Sequence, residues 1–165
     1  MRRTIVGFCQ DEHGEWVAEL SCFHNQHVRH QPPFQERAWV LDQRGRSDRI
    51  GSEIDCPLCD RAELPVGLRV VRSAGPFDST TLPAGLRKAH RVAERTWGQL
   101  VVLEGTVLFS LDTEPPVHVR LTAPASAPIP PGVPHAVSPE GPVRLVVNFL
   151  VSDTSRPNDA ARAVD

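Results

Sequence analysis

Cys56-Pro57-Leu58-Cys59 is a C-x-x-C pair, and two thiolates at that spacing converge on one ion from a single turn of chain. Upstream lies a second cluster of donors, Cys22, His24, His27 and His30. Cys22 and His24, two apart, project to one side of an extended segment, whereas Cys22 and His27 fit a short chelating loop. Either histidine completes a Cys₃His set with Cys56 and Cys59. His24 is favoured by a thin margin, because it needs no loop rearrangement. Soft thiolates with one imidazole select zinc over harder cations. Four protein donors also close the coordination sphere, so the expected role is structural, and the surplus histidines keep a catalytic alternative in view. Cys9 reads as a small core residue in mid-strand, and His30 as a surface or hydrogen-bonding group.

The rest of the chain supports a metal over a disulfide. All four cysteines lie within the first 59 residues, with four of the seven histidines. The opening MRRTIVGFCQDEHGEW lacks the apolar run of a signal peptide, and acids arrive by Asp11. No apolar stretch approaches the length of a membrane span. The expectation is therefore a cytoplasmic protein, in whose reducing surroundings clustered thiols bind metal. A redox C-x-x-C needs a βαβ context that this sequence lacks. Net charge is −2, and neither half is basic, which gives no reason to expect nucleic acid or an anionic membrane as partner.

The elements that must position these donors are short strands. TIVGFCQ (4–10) and EWVAELSC (15–22) flank a turn and read as a hairpin. RAWVLD (37–42) is a further candidate strand and QRGR a turn. Some sixty residues bury too little apolar surface to fold comfortably unaided, and a metal would supply the staple. After residue 63 cysteine disappears and Val/Leu alternation takes over. Strands are expected at 68–73, 86–93, 96–105, 106–112, 118–123, 126–130, 135–139 and 143–151, with a tight hairpin pivoting at Glu104-Gly105. The division is thus a zinc knuckle over 1–62, a β-barrel over 63–152, and a flexible polar tail over 153–165.

Two resemblances sharpen this reading. GFCQDEHGEWVAELSC, HNQHVRHQPPFQERAW and CPLCD resemble a bacterial family of uncharacterised zinc-binding domains. PPGVPH (130–135) carries the P-x-G-x-x-H core of a cupin motif, and His90 with Gly105 stands for a degenerate second one. DSTTLPAGLRKAHRVAERTWGQLVVLEG, IPPGVPHAV and VRLVVNFL resemble the tellurite-resistance-associated TehB/YeaR-like cupins. That resemblance implies a mainly β chain, with a ribbon-like zinc module followed by a single cupin barrel, a double-stranded β-helix. It also implies His90 and His135 as pocket residues.

In the cupin pattern the usual second histidine is Val92 here, and the usual glutamate is Gly98. His90 and His135 therefore hold a second divalent metal only with help, from Glu104, Glu140 or water; otherwise they are hydrogen-bonded pocket histidines. If they share an ion, their rings should lie within about 5 Å, both facing inward. Trp97 is a core residue or a stacking surface for a ligand. The functional expectation is a stress-response protein binding a small molecule or metal-bound oxyanion. The alternatives are a metal-dependent dioxygenase or isomerase, and a non-catalytic sensor or interaction module. Cupins often pair edge to edge, so the resemblance also admits a homodimer.

Overall fold

The computed structural model describes residues 1–152; the tail expected over 153–165 lies outside the described residues. Alternation in the first strands builds the N-terminal sheet. Arg3 and Ile5 point inward from β1 (Arg2–Gln10), and Val17, Ala18 and Leu20 are buried on β2 (Trp16–Leu20). Asp11 makes the intervening turn, its Oδ1 accepting from the backbone N–H groups of His13 and Glu15 at 2.9 Å. The short β3 (Asn25–His27) pairs with β2 and β4 (Glu53–Asp55) with β1, giving the antiparallel order β3-β2-β1-β4.

RAWVLD is not a strand. Ala38–Val40 form one 3₁₀ turn with Val40 buried, followed by α1 (Gln43–Ser47), which is capped by Asp42 accepting from Gly45 N–H at 2.7 Å. Gly45 lies against the Trp39 backbone, where a Cβ would meet the carbonyl oxygen at 2.4 Å. The local packing therefore bends this stretch into turns. The module closes with α2 (Pro57–Asp60), with Pro57 in its first turn.

Among the described residues, the second half has seven antiparallel strands in two sheets. These are β5 (Leu68–Asp78), β6 (Trp97–Glu104), β7 (Thr106–Leu111), β8 (Val117–Thr122), β9 (Ala125–Ile129), β10 (His135–Pro139) and β11 (Arg144–Ser152). One sheet runs β10-β7-β8 and the other β5-β11-β6-β9. Both sheets feed one core: Leu100 and Val102 of β6, Leu145 and Val147 of β11, Phe109 of β7 and Val137 of β10 are all buried in it.

Two sequence expectations fail here for identifiable reasons. Glu104-Gly105 is no hairpin, because β6 and β7 belong to different sheets. Gly105, at φ 79°, carries the chain across, and a Cβ there would lie 2.2 Å from the Pro142 carbonyl oxygen. Residues 86–93 form no strand either. A 3₁₀ turn occupies Ala84–Arg87, and His90 makes only an isolated bridge to His135.

A second apolar cluster joins the halves. Ile5, Leu20, Val28 and Val40 pack with Cys22, Cys56 and Cys59, and also with Trp97 of β6 and Leu150 of β11. Trp97 is fully buried there. Burying a ring of that size is worth on the order of 4–6 kcal/mol by area, an upper figure. The two halves thus share part of their interior. No helix among the described residues is long and apolar enough to cross a membrane.

Candidate metal centre

Four donors from two turns meet inside the shared cluster. The β2–β3 turn supplies Cys22 and His24, with Phe23 between them at φ 69° and its N–H bonded to Leu20 O at 2.8 Å. The C-x-H pair therefore sits on a tight turn rather than on the extended segment expected from its spacing. Cys56 precedes α2 and Cys59 lies on it, while the Cys56 N–H donates to Met1 O at 2.8 Å. Cys22, Cys59, Cys56 and His24 are all buried.

The distances are those of a tetrahedral site. Metal–sulfur bonds near 2.3 Å and metal–nitrogen bonds near 2.05 Å put sulfurs about 3.8 Å apart and sulfur and nitrogen about 3.6 Å apart. Cys22 Sγ and Cys56 Sγ are separated by 3.9 Å. His24 Nδ1 lies 3.5 Å from Cys22 Sγ, 3.4 Å from Cys56 Sγ and 3.5 Å from Cys59 Sγ. All four donor atoms fall within 4.8 Å of one another. The set could hold a metal through three sulfurs and Nδ1.

The electrostatics also call for a cation. Burial opposes charge on His24, but hydrogen bonds with Cys22 and Cys56 outweigh it and lift the pKa to about 9. Hydrogen bonds from Cys22 and Cys59 push the Cys56 thiol down, whereas its neighbours Cys22 and Cys56 push Cys59 up. Without a metal the cluster favours one thiolate and resists a second; a divalent ion removes that conflict.

The surrounding groups come from both halves. Trp97 Nε1–H donates to Cys22 O at 2.8 Å, and its ring meets His24 edge to face at 5.5 Å. Arg3, only 8% exposed, donates from Nε to Cys59 Sγ at 3.3 Å and from Nη1 to Pro131 O at 2.9 Å. Trp97, expected as a core residue or a ligand-stacking surface, is a core residue, and the core it joins is the one around the cysteine cluster. Arg3 was missed from sequence; its one signal is an inward place in the alternation of β1, where a buried arginine needs an acceptor of opposite charge.

His27 stands apart from the cluster. It is exposed, with Nε2 2.8 Å from Asp11 Oδ2, and this hydrogen bond is the main cause holding the Asp11 pKa at about 2. Glu15 completes that surface group and also pairs with Arg29. His30 Nδ1 accepts from Arg37 N–H at 3.1 Å. Cys9 is half-buried rather than a core residue.

His90 and His135 come together differently from the expectation of two inward rings. Their backbones form a bridge, and their rings stand at 85° with centroids 5.4 Å apart. His135 is 2% exposed, its Nδ1 lies 3.1 Å from Val133 O, and its Nε2 has no hydrogen-bond partner among the described residues. Burial, only partly offset by the Val133 contact, lowers its pKa. His90 is exposed and lines an open groove of about 410 Å³ with Arg72, Arg91, Thr96 and Phe149. One ring is inside and one meets solvent, so they do not enclose a shared ion. Neither suggested helper joins them: Glu104 pairs with Arg144 and Glu140 with Arg120. Among the described residues they belong to no cluster of three or more metal-donor side chains.

Residues 6–63 match the family described as "Protein of unknown function (DUF3565)", and residues 72–147 match the "TehB-like domain", a tellurite-resistance-like group. No curated protein sequence matches the chain. Among solved structures, a protein from E. coli strain K12 is similar at 19% identity and TM-score 0.48, over 55% of this chain and 96% of that one. TehB from Haemophilus influenzae is similar at 22% identity and TM-score 0.48, over 53% of this chain. The match spans 32% of TehB's length. The chain joins a DUF3565 domain to a TehB-like domain.

Proposed function

We propose that the protein is a zinc-stabilised, cytoplasmic stress-response protein whose TehB-like half is a cupin barrel binding a small molecule or oxyanion. The observation that carries the metal half is the tetrahedral spacing of Cys22, His24, Cys56 and Cys59, all buried. Three thiolates and one imidazole favour zinc and leave no open position for substrate, so the ion has a structural role. Closely set free thiols also suit a reducing compartment.

The cupin reading of the second half is supported by its two antiparallel sheets around one core and by the P-x-G-x-x-H loop ending at His135. The groove beside His90 carries two arginines and an apolar wall formed by Val92, Phe149 and Val151, which suits a small anion with an apolar body. A buried neutral imidazole behind it can exchange a hydrogen bond with such a ligand.

Two measurements on the purified chain test the proposal. Elemental analysis should give one zinc per chain, lost in Cys56→Ser. Phosphate, tellurite and isobutyrate titrated in turn should shift the NMR signals of His90, Arg72 and Arg91. A zinc-free folded protein would refute the metal half, and no shift with any of the three probes would refute the anion groove.

A further inference from the structure

The cysteine cluster and the groove meet through one four-residue loop, Pro131–Pro134. Pro131 O accepts from Arg3 Nη1 at 2.9 Å, and the same guanidinium donates from Nε to Cys59 Sγ at 3.3 Å. Gly132 N–H donates to Val92 O at 3.2 Å, while Gly132 O accepts from Arg91 Nη1 at 3.1 Å. Val133 O lies 3.1 Å from His135 Nδ1. The loop then enters β10, where His135 N–H donates to His90 O at 2.8 Å and His90 N–H to His135 O at 3.0 Å. Pro131 O thus has its partner beside the cluster, Gly132 O has its partner in the groove wall, and Val133 O faces the buried His135 ring.

Among these contacts Arg3 alone touches both the cluster and the loop. A guanidinium at 8% exposure needs compensating negative charge and satisfied donors. A divalent ion with three thiolates and a neutral imidazole carries one net negative charge. Arg3 faces that charge at Cys59, and its planar fork leaves a second edge for the carbonyl. Trp97 makes a second link: it donates to Cys22 O and meets His24 edge to face, and its neighbour Thr96 lines the groove.

We propose that Arg3 is a positioning residue that couples the metal centre to the groove, holding the 131–134 loop, and through it His135 and Arg91, in place when the cluster is loaded. This inference rests on the zinc and groove readings above and adds the regulation of that groove: its geometry depends on metal occupancy. Coupling of this kind is reciprocal, so a ligand in the groove should also tighten metal retention.

The test uses the full chain loaded with cobalt, whose thiolate absorption reports the cluster, and amide hydrogen exchange with His135 ring NMR, which report the loop. Arg3→Met removes the charge and the fork; Arg3→Lys keeps a charge beside Cys59 but cannot span both acceptors. Arg2→Met, on the exposed neighbour, is the control. The expected result is that at least one Arg3 variant keeps its cobalt. In that variant exchange at Gly132, Val133 and His135 should rise by about tenfold or more, as for the loss of a charge-assisted hydrogen bond. The His135 ring signals should move, while β7 and β11 keep their protection.

Unchanged exchange and ring signals in a cobalt-loaded variant overturn the proposal. So does loss of cobalt from both variants, which makes Arg3 a part of the metal site alone. A wild-type chain that takes up no metal instead refutes the zinc reading, and that failure is visible before any variant is made.

Discussion

Trp97→Phe probes whether the two halves share an interior or merely touch. Phenylalanine keeps an apolar ring in a fully buried position but removes the indole N–H that Cys22 O accepts at 2.8 Å. Leaving that carbonyl unpaired costs about 1–3 kcal/mol. The smaller ring also gives up roughly 40 Å² of buried area, or about 1 kcal/mol. A loss of about 2–4 kcal/mol should lower the melting midpoint by roughly 5–15 °C for a chain of this size. Calorimetry of the zinc-loaded protein reads the midpoint, and hydrogen exchange shows where protection falls. Protection should drop at Ala18 and Leu20 of β2 as well as at Leu100 of β6, since Trp97 packs with residues of the first module. A midpoint unchanged within a degree, or a loss confined to β6, would refute a shared cluster.

Cys56→Ser should abolish zinc binding as read by elemental analysis. Structural zinc contributes about 10–16 kcal/mol in small domains, so the first module should unfold, and β6 protection around Trp97 should fall with it. His24→Ala should lose the metal, whereas His27→Ala, whose ring bonds Asp11 on the surface, should keep it; the opposite pattern would move the site. His135 should titrate below 6.5 in an NMR pH series because burial lowers its pKa. The unfolded chain then takes up this proton first, so stability is full above about 6.5 and falls as pH drops below it. Asp78 accepts two N–H and two O–H bonds from Thr80 and Thr81, which hold its pKa below 3.8. Its turn should be firm above pH 3.8 and loosen as pH falls below it, seen as faster amide exchange at Thr80 and Thr81.

The strands of the second half were legible because Val/Leu alternation with Gly and Pro between runs is a local signal. HAVSP occupies β10 from His135 to Pro139, as read from sequence. The sheet switch at Gly105 was not legible, because a glycine with positive φ serves a hairpin and a crossover equally well. The misread strand at 86–93 shows the same limit: tertiary packing, not propensity, leaves His90 one isolated bridge. Cysteine spacing pointed to the metal cluster, since donor type and separation are written in the chain. The roles of Arg3 and Trp97 were hidden, because each acts on a residue more than 50 positions away.

The shared cluster changes what a cut at residue 62 would do. Separating the halves would uncover Trp97 and Leu150 on one fragment, and Ile5, Leu20 and the cysteines on the other. The barrel fragment would then carry a sticky apolar face, and the metal fragment would lose a wall of its own centre. Expressed together, the two pieces have complementary apolar faces, and the ion, whose four donors all lie on the first piece, shapes one of those faces. Zinc would act in such a fragment complementation by folding the first piece into the shape the barrel face fits, making reassembly a titratable function of free metal.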